Sequence, residues 1–214
     1  MKKLLLLIAG AILFMDAATA DALPITNVAL NKSVTLNGSF FSGGWGGGRV
    51  VNKQTVVDGV FLPRSNQWDR GPVWWDSHRV SGQNIQINLG KLYEISSFIV
   101  QVDDNDAYIL EYWNTKTNAW KIAWNIPNYD WVGGRNLWGM QTRPNIYNNT
   151  ARYTLTSAIT TDKLRISGNM RSSDRFFAVS EVQAFGRAAQ VPEPAAILLL
   201  GAGMAGLAAL RKRI

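Results

Sequence analysis

The chain has 214 residues, with 22 Lys and Arg against 15 Asp and Glu, a formal charge of +7 and nine tryptophans. At 47% hydrophobic and 17% charged it can bury a core, which excludes a disordered or acidic-tail protein. No cysteine and a single histidine exclude disulfide scaffolds, thiolate zinc centres, cysteine nucleophiles and multi-histidine metal sites.

The first segment reads as an export signal. Lys2 and Lys3 form a basic start, Leu4 to Met15 an apolar run, and Ala18-Thr19-Ala20 a small-residue cleavage site. The run is too short to span a hydrocarbon layer of about 30 Å at about 1.5 Å per residue, so residues 1–20 are expected to be cleaved rather than kept as an anchor. Further on, Gly43 to Gly48 surround Trp45 but lack the Gly-Lys-Ser/Thr of a phosphate loop, and read as a loop.

Between Asn27 and Arg187 no helical apolar stripe lasts three turns; short period-two runs alternate with Gly, Asn, Pro and Asp instead. Gln83 to Gly90 is the clearest, with Ile85, Ile87 and Leu89 alternating with Asn84, Gln86 and Asn88. A short connection leads to Ile95–Val102, whose continuous apolar character predicts a buried strand. Ala107–Trp113 and Ala119–Trp124 flank a hairpin turn at Asn114–Asn118, and residues 152–156, 163–167 and 179–186 supply later strands. Short strands at this spacing predict an all-β sandwich or barrel. Trp113, Trp120 and Trp124, lying on strands, are expected in the core.

At the far end, Val191-Pro192-Glu193-Pro194 precedes a nearly unbroken apolar run, Ala195 to Leu210, and then Arg211-Lys212-Arg213. This predicts a linker, an apolar transmembrane helix and a basic stop that stays cytoplasmic. The Gly201–Gly206 run fits a dinucleotide-binding pattern by letter, but only eight residues follow Gly206, and small residues packing a membrane helix explain it better. Residues 1–20 carry a net +1 and residues 195–214 carry +3, which leaves +3 of the formal +7 on the body. Its basic residues are scattered, so nucleic acid is not an expected partner.

The tail resembles the PEP-CTERM sorting signal of Gram-negative bacteria, carried by Pro192, Glu193 and Pro194, the apolar run, and Arg211, Lys212 and Arg213. That resemblance implies cleavage near Pro192-Glu193-Pro194 by an exosortase-type membrane protease and delivery to the cell surface or an exopolysaccharide matrix. The body is similar to discoidin or coagulation-factor C-type domains. The matching stretches, in order, are Asn27–Lys32, Val57-Asp58-Gly59 with a later Trp68 or Trp74, Ile85–Gly90, Tyr108–Trp113, Ala151–Tyr153 and Ser180–Gly186. This resemblance implies a jelly-roll β-sandwich with the galactose-binding-like fold over residues 27–187, followed by linker and sorting signal over 188–214.

For function, loop tryptophans beside polar groups suit sugars, whose C–H faces stack on rings and whose hydroxyls need hydrogen-bonding partners. Trp74, Trp75, His78 and Arg79 form one such set. Relatives of this fold that bind sugar use loops corresponding to Asp103, Asn105 and Asp106 and to Arg171 through Phe176, which adds those residues as ligand-binding candidates. The acidic first loop departs from the sugar binders of the family, so galactose specificity is not carried over. Relatives also imply a structural calcium near Asp58 and Glu181; no cofactor is expected to be essential. The expectation is therefore a secreted, noncatalytic carbohydrate-binding protein of the envelope or biofilm matrix. Two alternatives are a structural adhesion protein working through protein contacts and a hydrolase using acids among Asp103, Asp104, Asp106 and Glu111.

Overall fold

A computed structural model describes residues 23–44, 51–78, 80–129, 131–132, 135–136, 138–170 and 174–190; for 131–132 and 135–136 only the backbone is considered. The export segment, Trp45 to Gly48, Arg79, Arg171 and the sorting signal with its predicted helix lie outside the described residues, while Gly43 and Gly44, expected in a loop, end strand β3. The strands are β1 (Thr26–Asn27), β2 (Ser33–Asn37), β3 (Phe41–Gly44), β4 (Arg70–Asp76), β5 (Asn84–Val102), β6 (Tyr108–Asn114), β7 (Ala119–Ile126), β8 (Trp131–Val132), β9 (Arg135–Asn136), β10 (Gln141–Arg143), β11 (Tyr153–Gly168) and β12 (Phe176–Ala188). One 3-10 turn spans Lys53–Val57, and among the described residues no helix is long and apolar enough to cross a membrane.

Two long strands build both layers. The sequence predicts separate strands at Gln83–Gly90 and Ile95–Val102, whereas β5 runs through both. Gly90, at φ +84, lets the strand turn the corner without a loop. The neighbouring β11 slips register between Thr161 and Lys163, so the two strands bend together. Before the bend, β5 pairs β2 and β11, and β11 continues through β6 to β7. Beyond it, β5 pairs β12 on one side and β10 with the start of β11 on the other, and β12 continues to β4, β3 and β1. The result is an antiparallel sandwich with two layers, as the sequence predicts.

The core lies between the layers. Ile85, Ile87 and Leu89 enter it from the first, and Phe98, Val100 and Val102 from the second. Trp75 sits at its centre, 5.5 Å from the ring of Phe177 and 6.5 Å from that of Tyr108. The Tyr108 hydroxyl accepts from the Ala178 amide (2.9 Å) and donates to the Ala178 carbonyl (3.0 Å), so its polar end is satisfied inside. Gly168 passes so close to the Phe177 ring that no Cβ would fit. Trp124 is buried and stacks on Tyr153 at 4.4 Å, but Trp113 and Trp120 are half-exposed on the outer side of β6 and β7. The expected core placement is therefore corrected for those two: they share parity with Glu111, whereas Tyr108 and Leu110 face inward.

The outer side of the second layer is covered. Leu62, on the crossing loop before β4, donates to Gln101 Oε1 (2.8 Å) and accepts from Gln101 Nε2 (2.9 Å). Ser180 Oγ donates to the same Oε1 at 2.6 Å. Gln101 thus acts as a side-chain imitation of a backbone pair, which offsets the cost of burying its amide.

Candidate functional site

The ends of β4 and β5, the starts of β10 and β12 and the loops between them meet at one pole of the sandwich. Trp68 and Phe176 stack at 5.7 Å with an interplanar angle of 19°. Trp74 meets them edge-on at 5.2 and 6.3 Å, and the His78 ring lies 4.9 Å from Phe176. Trp74 is buried against Met140 and Ala178; Trp68 and Phe176 are half-buried, and His78 is exposed. Asp76 Oδ1 accepts from the His78 amide and lies 2.8 Å from His78 Nδ1, which fixes the imidazole beside the aromatic patch.

A polar rim adjoins the rings. Asn105 Nδ2 donates to Asp174 Oδ2 at 2.7 Å, tying two loops together, and the Phe176 amide donates to Asp174 Oδ1 at 2.9 Å. Arg175 is exposed at φ +61, and its carbonyl accepts from the Ser77 amide at 3.0 Å. The strained residue is thereby held by the strand end that also positions His78.

Beneath this surface lies an acidic turn that the sequence reading places at the ligand. Asp103, Asp104 and Asp106 are all buried, so Asp103 and Asp106 are corrected from ligand contacts to internal groups. Burial, reinforced by Asp104 and Asp106, pushes the Asp103 carboxyl up to about 9. Arg143, fully enclosed, donates through Nη2 to the Asp103 and Asp104 carbonyls at 3.5 and 3.4 Å and through Nη1 to Gln141 Oε1 at 3.1 Å. Its guanidinium lies 4.4 Å from the Tyr129 ring, and burial lowers its pKa to about 10. Asp104 Oδ1 accepts the Gly139 amide at 2.7 Å. The turn is a knot that ties loops rather than a hydrated surface. No local pattern assigns Arg143 its role in the turn, because the Asp103 and Asp104 carbonyls it holds lie about forty positions away.

Of the remaining ligand-binding candidates, Trp75 is corrected to the core, where no ligand reaches it, and Trp74 is an inner support of the patch. His78, Asn105 and Phe176 are brought together at the pole, while Arg79 and Arg171 lie outside the described residues. Trp68 belongs to the same patch; its nearness to Trp74 in sequence is the signal that points to it.

The metal candidates occupy a separate place. Glu181 is fully buried; Oε2 accepts the Gly59 amide at 3.3 Å, and Oε1 has no hydrogen-bond partner. Burial, with the nearby Asp58 charge adding to it, pushes the Glu181 carboxyl up to about 8. A buried carboxylate with a second carboxylate, Asp58, close enough to push its pKa up further fits a hard cation. Among the described residues no third acidic or imidazole group joins the pair, so backbone carbonyls and water would complete the shell.

Comparison with known proteins adds three findings. Residues 190–213 match the PEP-CTERM protein-sorting motif. No curated protein matches the sequence. Similar solved structures include a fucolectin from striped bass (Morone saxatilis) serum, with 13% identity, a TM-score of 0.53, and coverage of 79% of this chain and 51% of that one. Others are a variant of chitosan-binding module 1 from a Paenibacillus sp. IK-5 chitosanase/glucanase (20% identity, TM-score 0.46, covering 76% and 99%) and the family 32 CBM of C. perfringens NanJ in complex with galactose (14%, 0.45, 76% and 98%). At these identities the likeness is one of fold: the body shares the two-layer β-sandwich of the fucolectin.

Proposed function

We propose that this chain, a galactose-binding-like sandwich carrying a sorting motif, is a secreted, noncatalytic carbohydrate-binding protein that grips glycan at the pole formed by Trp68, His78 and Phe176. One observation carries the reading: partly open aromatic rings stand beside Asp76, Asn105, Asp174 and Arg175. Pyranose rings offer apolar faces to such rings and hydroxyls to such a rim. The fold likeness is compatible with this reading but assigns no ligand, because one fold hosts many functions. Binding without turnover is supported by the burial of Asp103 and Asp106, since glycoside hydrolysis needs two carboxyl groups flanking one exposed bond.

In this reading residues 1–20 direct export, and the matched motif directs processing near Pro192-Glu193-Pro194 by an exosortase-type protease and delivery to the surface of a Gram-negative cell. Asp58 and Glu181 hold a structural calcium away from the sugar. Added calcium is expected to raise the melting temperature of wild type but not of Glu181→Gln; identical melting in calcium and EDTA removes the ion from the account.

A glycan array followed by titration tests the sugar site. Wild type is expected to bind saturably, and His78→Ala and Phe176→Ala to weaken binding about tenfold, or about 1.4 kcal/mol. Unchanged affinity in both folded variants rejects this pole as the site. A wild type that ignores every glycan but self-associates supports the adhesion alternative instead.

A further inference from the structure

Among the described residues the first layer leaves its outer side open, and strand parity gives that side a definite chemistry. Register aligns Thr35, Gln86, Arg165, Glu111 and Ile122 in one row across β2, β5, β11, β6 and β7. The adjacent row runs from Ser33 through Asn88 to Lys163, and ends on Trp113 paired directly with Trp120. The two indoles meet edge-on at 5.4 Å. Arg165 lies 4.5 Å from the Trp120 ring and Lys163 5.6 Å from the Trp113 ring, so the basic groups brace the aromatic pair.

We infer that this face is a second glycan-binding platform, for an extended neutral polysaccharide lying across the strands with its rings on Trp113 and Trp120. It shares the ligand class of the polar site but uses none of its residues. Charge identifies the occupant. Arg165 is held by Glu111 through two bonds of 2.6 and 3.0 Å, and Lys163 lies 4.0 Å from Asp162, so the local charges are compensated within the protein. A charged polymer gains little on such a surface, whereas a neutral one needs what is present: two half-exposed indoles and a band of hydroxyls and amides that both donate and accept. Five strands at about 4.8 Å spacing give a band roughly 19 Å wide, room for several sugar rings. A protein partner fits less well, because the centres of protein interfaces are apolar and poor in charge, and here amides, hydroxyls and ion pairs separate the indoles from β2. Two sites on one sandwich make the protein a cross-linker of polysaccharide chains, with avidity beyond either site.

The test is affinity electrophoresis of the full-length chain in gels containing a β-glucan, a galactan or a mannan, with alginate and chitosan as charged comparisons. At least one neutral polymer is expected to retard wild type more than either charged one. The double variant Trp113→Ala/Trp120→Ala should lose about tenfold in affinity for it, and Gln86→Ala/Asn88→Ala, which leaves the indoles intact, about threefold. His78→Ala/Phe176→Ala should keep this retention while losing the ability of wild type to make the polymer solution turbid. The proposal is overturned if no neutral polymer retards wild type, if charged polymers retard it more, or if both sheet-face variants stay within twofold of wild type. Loss of self-association in the indole variant with retention unchanged also overturns it, by making the face a protein interface. Retention lost only in the His78/Phe176 variant sinks this inference and leaves the polar site standing; retention lost only in the sheet-face variants upholds it, and turbidity kept by the His78/Phe176 variant then sinks the polar site alone.

Discussion

The two halves of β5 differ in a way that organises the whole molecule. From Asn84 to Leu89 apolar and amide side chains alternate, and the amides of Asn84, Gln86 and Asn88 look outward from an uncovered layer. From Phe98 to Val102 every side chain is buried, because the loop carrying Leu62 and the Trp68–Trp74 cluster cover the outer side as well. One strand thus obeys two rules, set by what lies on its second face. A layer left bare keeps a polar outer surface; a layer that is roofed over is buried on both sides and carries loops at its rim.

Four changes along β5 and the turn after it probe that contrast. Phe98→Ala opens a cavity between the layers and should cost about 3–5 kcal/mol in denaturant unfolding; a loss under about 1 kcal/mol would show that this half is not the packed one. Gln101→Ala removes three hydrogen bonds and strands the Leu62 backbone groups, with an expected cost of about 1–3 kcal/mol and a change in tryptophan emission as the roof loosens. Unchanged emission would mean that the roof is held elsewhere.

The third change concerns pH. Asp103 has its pKa at about 9 in the fold against an ordinary value of about 4 in an unfolded chain. The folded protein therefore binds a proton that the unfolded chain releases, and this contribution to stability, full below about pH 4, is lost as pH rises toward 9. Melting of wild type should fall across that window. Asp103→Asn, which stays neutral, should fall less, so that the two melting curves diverge as pH rises toward 9; parallel curves would remove Asp103 from the explanation. Smallest of all, Gln86→Ala on the bare half should change stability by no more than about 0.5 kcal/mol, and a larger loss would mean that the outer face is packed.

The two environments of β5 are legible in its residues alone, as alternation in Gln83–Gly90 and as a continuous apolar run in Ile95–Val102, and the Asn-rich turn announces the β6–β7 hairpin. Asn114 Oδ1 accepts both the Lys116 and Thr117 amides there. β4 is harder to read, since Arg-Gly-Pro-Val-Trp-Trp-Asp neither alternates nor shows which of its adjacent indoles enters the core. Asp103 and Asp106 mislead for a different reason: three acids in four positions suggest water, and only the distant Arg143 and the loops above them allow burial. The outward placement of Trp113 is legible by parity with Glu111 when charge is weighed above ring size, whereas Trp120 shares parity with the buried Trp124 and only the register shift between β6 and β7 puts those two on opposite faces. No local pattern brings Trp68, His78 and Phe176 together, because β4 and β12 meet only through long-range pairing.

β12 begins at Phe176 in the aromatic patch and ends at Ala188, opposite Tyr93 near the bend of β5. Its thirteen residues, at about 3.3 Å each, carry the chain roughly 40 Å from one pole of the sandwich to the other. β1 lies beside the last residues of that path, Thr26 opposite Gly186, so the described chain enters and leaves the sandwich on the same side. The aromatic patch and the end of β12 thus lie at opposite ends of the described sandwich.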